Sequence, residues 1–159
     1  MVRDLMINEG KIAPAYAAAA AACTTGMGVV IDRATKTFSL PAAETADNIF
    51  VVHKERYPVD AAAAYTDLND YFGQFNTVAA GEFAPLWQYD YAEEFAVDAY
   101  DTTSLTTENA GKAASVGTDG TWKLASSGVS SYYLFVGLHD DAGRTLARFA
   151  VLKAPITNS

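Results

Sequence analysis

The stretch 132–152 reads Tyr132-Tyr133-Leu134-Phe135-Val136-Gly137-Leu138-His139, then Asp140-Asp141-Ala142-Gly143-Arg144, then Thr145-Leu146-Ala147-Arg148-Phe149-Ala150-Val151-Leu152. Two runs rich in aromatic and β-branched residues flank a short polar loop, which is the pattern of an antiparallel hairpin. Gly143 suits that loop because glycine takes positive φ without a Cβ clash. Residues 132–135 are apolar at each position, which predicts a strand covered on both faces.

The same pattern recurs upstream. Residues 114–116 and 122–124 flank Thr118-Asp119-Gly120, and Asp-Gly is a strong short-range hairpin signal. Residues 94–100 read as a strand before a Ser/Thr-rich polar loop at 102–109. Val29-Val30-Ile31 is expected to pair with residues 37–40 across the turn-like 32–36, and Pro41 ends that unit. Residues 49–52 form a further predicted strand, which runs on through the charged 53–56 into solvent. One helix is expected over 60–72, with Asp60 as N-cap, Ala61, Ala64, Tyr65, Leu68 and Phe72 at helical spacing, and Gly73 closing it.

Many short strands with frequent turn signals and a single short helix predict a mainly β fold, a small β-barrel or sandwich. Residues 1–28 differ in composition and read as an N-terminal arm preceding one β-rich domain, 29–159. The alanine run 17–22 lacks large side chains, so helix and extended packing both remain open there.

The 159 residues carry 11 Lys and Arg against 19 Asp and Glu, a formal net charge of −8. That balance opposes a polyphosphate, and the cations are scattered: Lys54 and Arg56 flank Glu55, and Arg144 and Arg148 lie near Asp140 and Asp141. No nucleic-acid partner is expected. No run reaches the roughly 18–20 apolar residues of a membrane span, so no membrane partner is expected either, and the chain reads as soluble. Cys23 is the single cysteine, which excludes an intramolecular disulfide and leaves it as a small apolar filler. The alanines before it resemble a lipoprotein cleavage site, but Asp4, Asn8, Glu9, Gly10 and Lys11 interrupt the apolar run that a signal needs.

Chemistry has few candidates. His53 and His139 are the only histidines, and neither lies in a nucleophile elbow or a cysteine-protease signature. No His or Cys spacing suits a metal, and Asp140-Asp141 with Gly143 lacks the rest of an EF-hand. Glu93 and Glu94 point to opposite faces of a strand, so they cannot jointly flank a glycosidic bond. Gly26-Met27-Gly28 lacks the lysine of a phosphate loop. No catalytic residue, metal site or cofactor is therefore predicted; the chain is expected to work through protein surfaces and not as an enzyme. The aromatic stretch Phe75, Phe83, Trp87, Tyr89 and Tyr91 is the first such surface, with Phe83, Trp87, Tyr89 and Tyr91 assigned to a subunit interface.

Glu94-Phe95-Ala96-Val97-Asp98-Ala99-Tyr100-Asp101, a polar loop, Gly111-Lys112, and then Val116-Gly117-Thr118-Asp119-Gly120-Thr121-Trp122 resemble the central part of tailed-phage capsid decoration proteins. The resemblance covers at most the C-terminal 60% or so of the chain. It implies a compact β-barrel and a cement function: binding the outside of a phage head, bridging major capsid protein subunits and stabilising the shell. It further implies a virion location after synthesis in the host cytoplasm, and self-association, with a trimer preferred over a dimer. An N-terminal arm offering Val2, Leu5, Met6, Ile7 and Ile12 would dock on the capsid by adding a strand. Two other readings stand beside this one: a phage tail-tube, baseplate or fibre component, and a hydrolase or carbohydrate-binding module that stacks sugars on Trp87, Tyr89 and Tyr91.

Overall fold

A computed structural model describes residues 2–6, 11–13, 17–54, 76–141 and 143–159, with the backbone alone for 3–6 and 11–13. In chain order the strands are β1 (Val2–Met6), β2 (Lys11–Ala13), β3 (Ala18–Ala19), β4 (Cys23–Thr24), β5 (Gly28–Asp32), β6 (Thr37–Ser39) and β7 (Phe50–Val52). They continue as β8 (Thr77–Val78), β9 (Leu86–Gln88), β10 (Glu94–Val97), β11 (Ala113–Val116), β12 (Trp122–Leu124), β13 (Ser130–Asp141) and β14 (Arg144–Thr157). The fold is mainly β, and the helix expected over 60–72 lies outside the described residues.

The predicted closing hairpin forms as β13 and β14 and is longer than its apolar centre. Its central register pairs Tyr133 with Val151 and Phe135 with Phe149. The expectation that 132–135 is covered on both faces is corrected: Tyr133 and Phe135 are buried, Leu134 is half-buried, and Tyr132 is 41% exposed. Period-two alternation places only every second side chain in the core. The other two predicted hairpins, β5 with β6 and β11 with β12, also form.

The strands assemble into two six-stranded sheets, β1-β10-β14-β13-β11-β12 and β2-β9-β7-β5-β6-β3, and a two-stranded ribbon, β4-β8. Neighbours run antiparallel except β3 with β6. One core cluster joins the sheets, with Phe95, Trp122, Tyr133, Phe135 and Phe149 from the first meeting Val51, Val30 and Trp87 from the second. Trp122 is its largest member; its ring lies against Phe95, Tyr133 and Phe149, and its Nε1 donates to the Gly26 carbonyl at 3.2 Å.

The second sheet is buried on its other face as well. In β7, Val51 faces the first cluster, whereas Phe50 and Val52 join a second cluster with Val29, Phe38 and Leu86. The alanine run supplies the cover: Ala17, Ala19 and Cys23 pack there with Val78 and Ala84. Small side chains let a backbone lie close against a sheet, so the run takes extended packing, contains β3 and leads into β4. Residues assigned to the arm thus enter both sheets and the ribbon.

Two loops near β11 and β12 are fixed by one local device. The Asp101 carboxylate accepts from the Thr103 N–H at 2.9 Å and hydroxyl at 2.7 Å, and Asp119 accepts from the Thr121 N–H at 3.1 Å and hydroxyl at 2.6 Å. An aspartate two residues before a threonine closes such a turn without strand pairing. The loop at 102–109 is not wholly polar, since it buries Leu105 in the first cluster.

Candidate interaction surface

β1 is the edge strand beside β10, pairing Val2 with Val97, and β2 is the edge strand beside β9, pairing Ile12 with Trp87. Val2 is 1% exposed and belongs to the chain's own core. Leu5 and Met6 lie on β1, and Ile7 lies outside the described residues. Docking on a partner through Val2 therefore requires β1 to leave β10.

The aromatic stretch divides between inside and outside. Tyr89 is buried, stacked on Phe95 with ring centroids 4.1 Å apart and planes within 12°. Trp87 is half-buried and stacks on His53 at 4.5 Å and 16°. Phe83 and Tyr91 are each 55% exposed. Trp87 and Tyr89 are tilted by 46° with centroids 6.2 Å apart, so with Tyr91 they form no flat exposed platform. Phe75 lies outside the described residues.

Tyr91 is held outward by a tight turn. The Glu93 N–H donates to the Asp90 carbonyl at 3.1 Å, the Asp90 N–H donates to Glu93 Oε2 at 2.6 Å, and the Tyr91 N–H donates to Asp90 Oδ1 at 2.8 Å. Glu93 is fully buried, and Ala92 takes φ 68°, a left-handed conformation unusual for a residue with a Cβ. The turn is tied to β14 by Ala92 N–H to Val151 O and Val151 N–H to Glu93 O, both at 3.0 Å.

Opposite the turn, β14 departs from β13. Ser131 pairs with Ile156 and Tyr133 with Val151, so Leu152, Lys153, Ala154 and Pro155 bulge out against Tyr132 alone. Such a bulge bends its strand and re-aims nearby side chains. Between turn and bulge lies a groove of about 510 Å³, with Tyr91 and Tyr132 among its lining and Tyr89 and Tyr133 beneath. Asp47, Asn48, Gln88 and Lys153 add polar side chains to it. Burial pushes the Tyr133 phenol above its ordinary range, and the Asp47 carboxylate acts in the same direction.

The charged run at 53–56 does not enter solvent at its start. Lys54 is buried; its Nζ lies 2.8 Å from Glu82 Oε1 and donates to the Thr77 carbonyl at 2.5 Å. Burying the long cation here is tolerable because both partners face it. His53 is half-buried against Trp87, and His139 is half-buried on β13. Sequence reasoning missed the buried Glu93 and Lys54, since neither carries a local pattern that distinguishes it from a surface charge. It also missed Tyr132 as a surface residue, because a run of apolar letters hides the strand's alternation.

A second polar node ties the 40–48 loop to the first sheet. Glu44 accepts from the Ser115 hydroxyl at 2.7 Å and from the Ser126 N–H and hydroxyl at 2.8 and 2.6 Å, with Lys123 Nζ at 3.0 Å. Burial acts to raise its pKa, but the Ser126, Ser115 and Lys123 contacts outweigh it and hold the carboxyl at about 2.

Among the described residues no group of three His, Cys, Asp or Glu side chains is arranged to hold a metal ion, and no helix is long and apolar enough to cross a membrane. In comparisons with known proteins, no protein-family model, curated protein or solved structure matches the chain.

Proposed function

We propose that this chain is a decoration protein of a tailed-phage head, binding the outer face of the shell and bridging major capsid protein subunits. One observation supports the reading: the two segments that resemble such proteins form a single unit. Asp101 N–H donates to the Trp122 carbonyl at 2.8 Å and Trp122 N–H to the Ala99 carbonyl at 2.9 Å, which closes β10, its loop and the β11-β12 hairpin on one another.

In this reading the two sheets are the walls of a small sandwich, and the N-terminal strands are the segment nearest the shell. The exposed ring of Phe83 is the contact point for a neighbouring subunit, where a large aromatic side chain buries much area at small entropic cost. A site repeated over the shell would turn weak individual contacts into strong overall attachment. Self-association follows the local symmetry of the site, with a trimer preferred over a dimer.

Immunoelectron microscopy of particles from the native source tests this. Gold label over heads is expected. Label over tails would replace the reading with a tail component, and particles without label would end it.

A further inference from the structure

We infer that the groove between the Tyr91 turn and the β14 bulge is a binding site for a neutral oligosaccharide. The inference stands on the groove and does not depend on the capsid reading.

The walls carry two large exposed rings from segments distant in sequence: Tyr91 is 55% exposed and Tyr132 41% exposed, and both line the same groove. An aromatic face takes the C–H face of a pyranose, burying apolar area without asking the sugar to lose its hydroxyl contacts. The groove's volume of about 510 Å³ falls within the usual range for small-molecule sites.

Both rings are presented by costly backbone. The Tyr91 turn uses a fully buried carboxylate, Glu93, and a left-handed alanine, Ala92. Burying an acidic side chain and holding a residue with a Cβ in the left-handed region both cost folding free energy, so this turn keeps its shape at the expense of stability. Beside Tyr132, β14 gives up regular pairing over Leu152, Lys153, Ala154 and Pro155. These two departures from regular structure meet at one groove.

The polar lining selects the ligand class. Asn48 and Gln88 each present a donor and an acceptor, Asp47 and Asp90 accept, and Lys153 donates. A neutral polyol can use all of these at once, whereas an anionic ligand would meet Asp47 and Asp90 and a cationic peptide would meet Lys153. The groove thus carries both signs of charge, and hydroxyl groups, which donate and accept, match it best.

Isothermal titration calorimetry of the full chain with cellohexaose, maltohexaose and the hexamer of β-1,4-linked N-acetylglucosamine tests the site. At least one is expected to bind with Kd of about 1 mM or tighter. Tyr91→Ala and Tyr132→Ala should each weaken that binding by about 10-fold or more, and Tyr91→Leu, which keeps apolar bulk without a ring, should weaken it similarly. Thermal midpoints within about 2 °C of the parent chain confirm that these exposed positions leave the fold intact. Absence of binding by all three sugars, unchanged affinity in the Tyr91→Ala, Tyr132→Ala double variant, or binding of hexalysine in their place would each overturn the inference. Particle labelling is a separate readout, so failure here and failure of the capsid reading are distinguishable.

Discussion

Lys54 Nζ sits 2.8 Å from Glu82 Oε1, with 8% and 24% of the two side chains exposed. Glu82 also accepts the Ala79 N–H at 3.0 Å, so one carboxylate joins the end of β7 to the segment after β8. Removing Glu82 leaves the buried Lys54 ammonium with the Thr77 carbonyl but without its counter-charge, a loss of about 3 kcal/mol. Glu82→Ala is expected to lower the unfolding free energy, measured in urea, by that amount, and the Lys54→Met, Glu82→Leu double variant to be less damaging than Glu82→Ala alone. A double variant at least as unstable as the single would show that the ion pair is not the source of the effect.

Glu44 makes stability depend on acid. Its folded pKa of about 2 lies below its ordinary 4.5, so the charged form favours the folded state. That contribution is complete above about pH 4.5 and is lost as the pH falls toward about 2. With Glu44 mostly shielded from solvent, its size is of order 1–3 kcal/mol. The stability gap between the parent chain and Glu44→Gln, measured by urea unfolding from pH 6 to pH 2.5, should narrow across that window. A gap independent of pH would contradict the assignment.

Gly120 and Gly128 share φ near 80°, at 80° and 83°, but not their surroundings. A Cβ on Gly120 would lie 2.7 Å from Leu40 Cδ2 and 3.3 Å from Met27 Cβ, whereas one on Gly128 meets nothing within 4 Å. Both alanine variants carry the backbone strain of a left-handed residue, about 1 kcal/mol. Gly120→Ala adds a clash and should lose at least about 1 kcal/mol more than Gly128→Ala by thermal unfolding. Equal losses would mean that Leu40 moves aside freely.

Cys23 is buried, and burial pushes its thiol up to about 11. The reactive thiolate is therefore scarce and shielded in the folded chain. Labelling by an aromatic disulfide reagent at pH 8 should be slow in buffer and become rapid, at one thiol per chain, through the unfolding transition. Fast labelling under native conditions would show that the alanine layer opens readily.

The elements legible in the sequence are those whose partners are close along the chain. β5 with β6, β11 with β12 and β13 with β14 each combine strand-forming residues with a nearby turn signal, and all three pair as read. Pairings between distant segments left no such mark. Nothing in residues 1–28 states that β1 will lie beside β10 or β2 beside β9. Burial of polar groups was equally hidden, since Lys54 reads as an ordinary surface charge until Glu82 and the Thr77 carbonyl are brought to it.

The aromatic stretch marks the same boundary for the candidate site. Composition and alternation determined that rings and acidic groups would be plentiful and that the chain would be mainly β, because those properties depend on residue type and local spacing. Tertiary structure alone decided that Tyr89 turns inward onto Phe95, while Tyr91 turns outward to share a groove with Tyr132. A side chain's face is set by register, and register here follows from pairings and bulges between segments far apart in sequence.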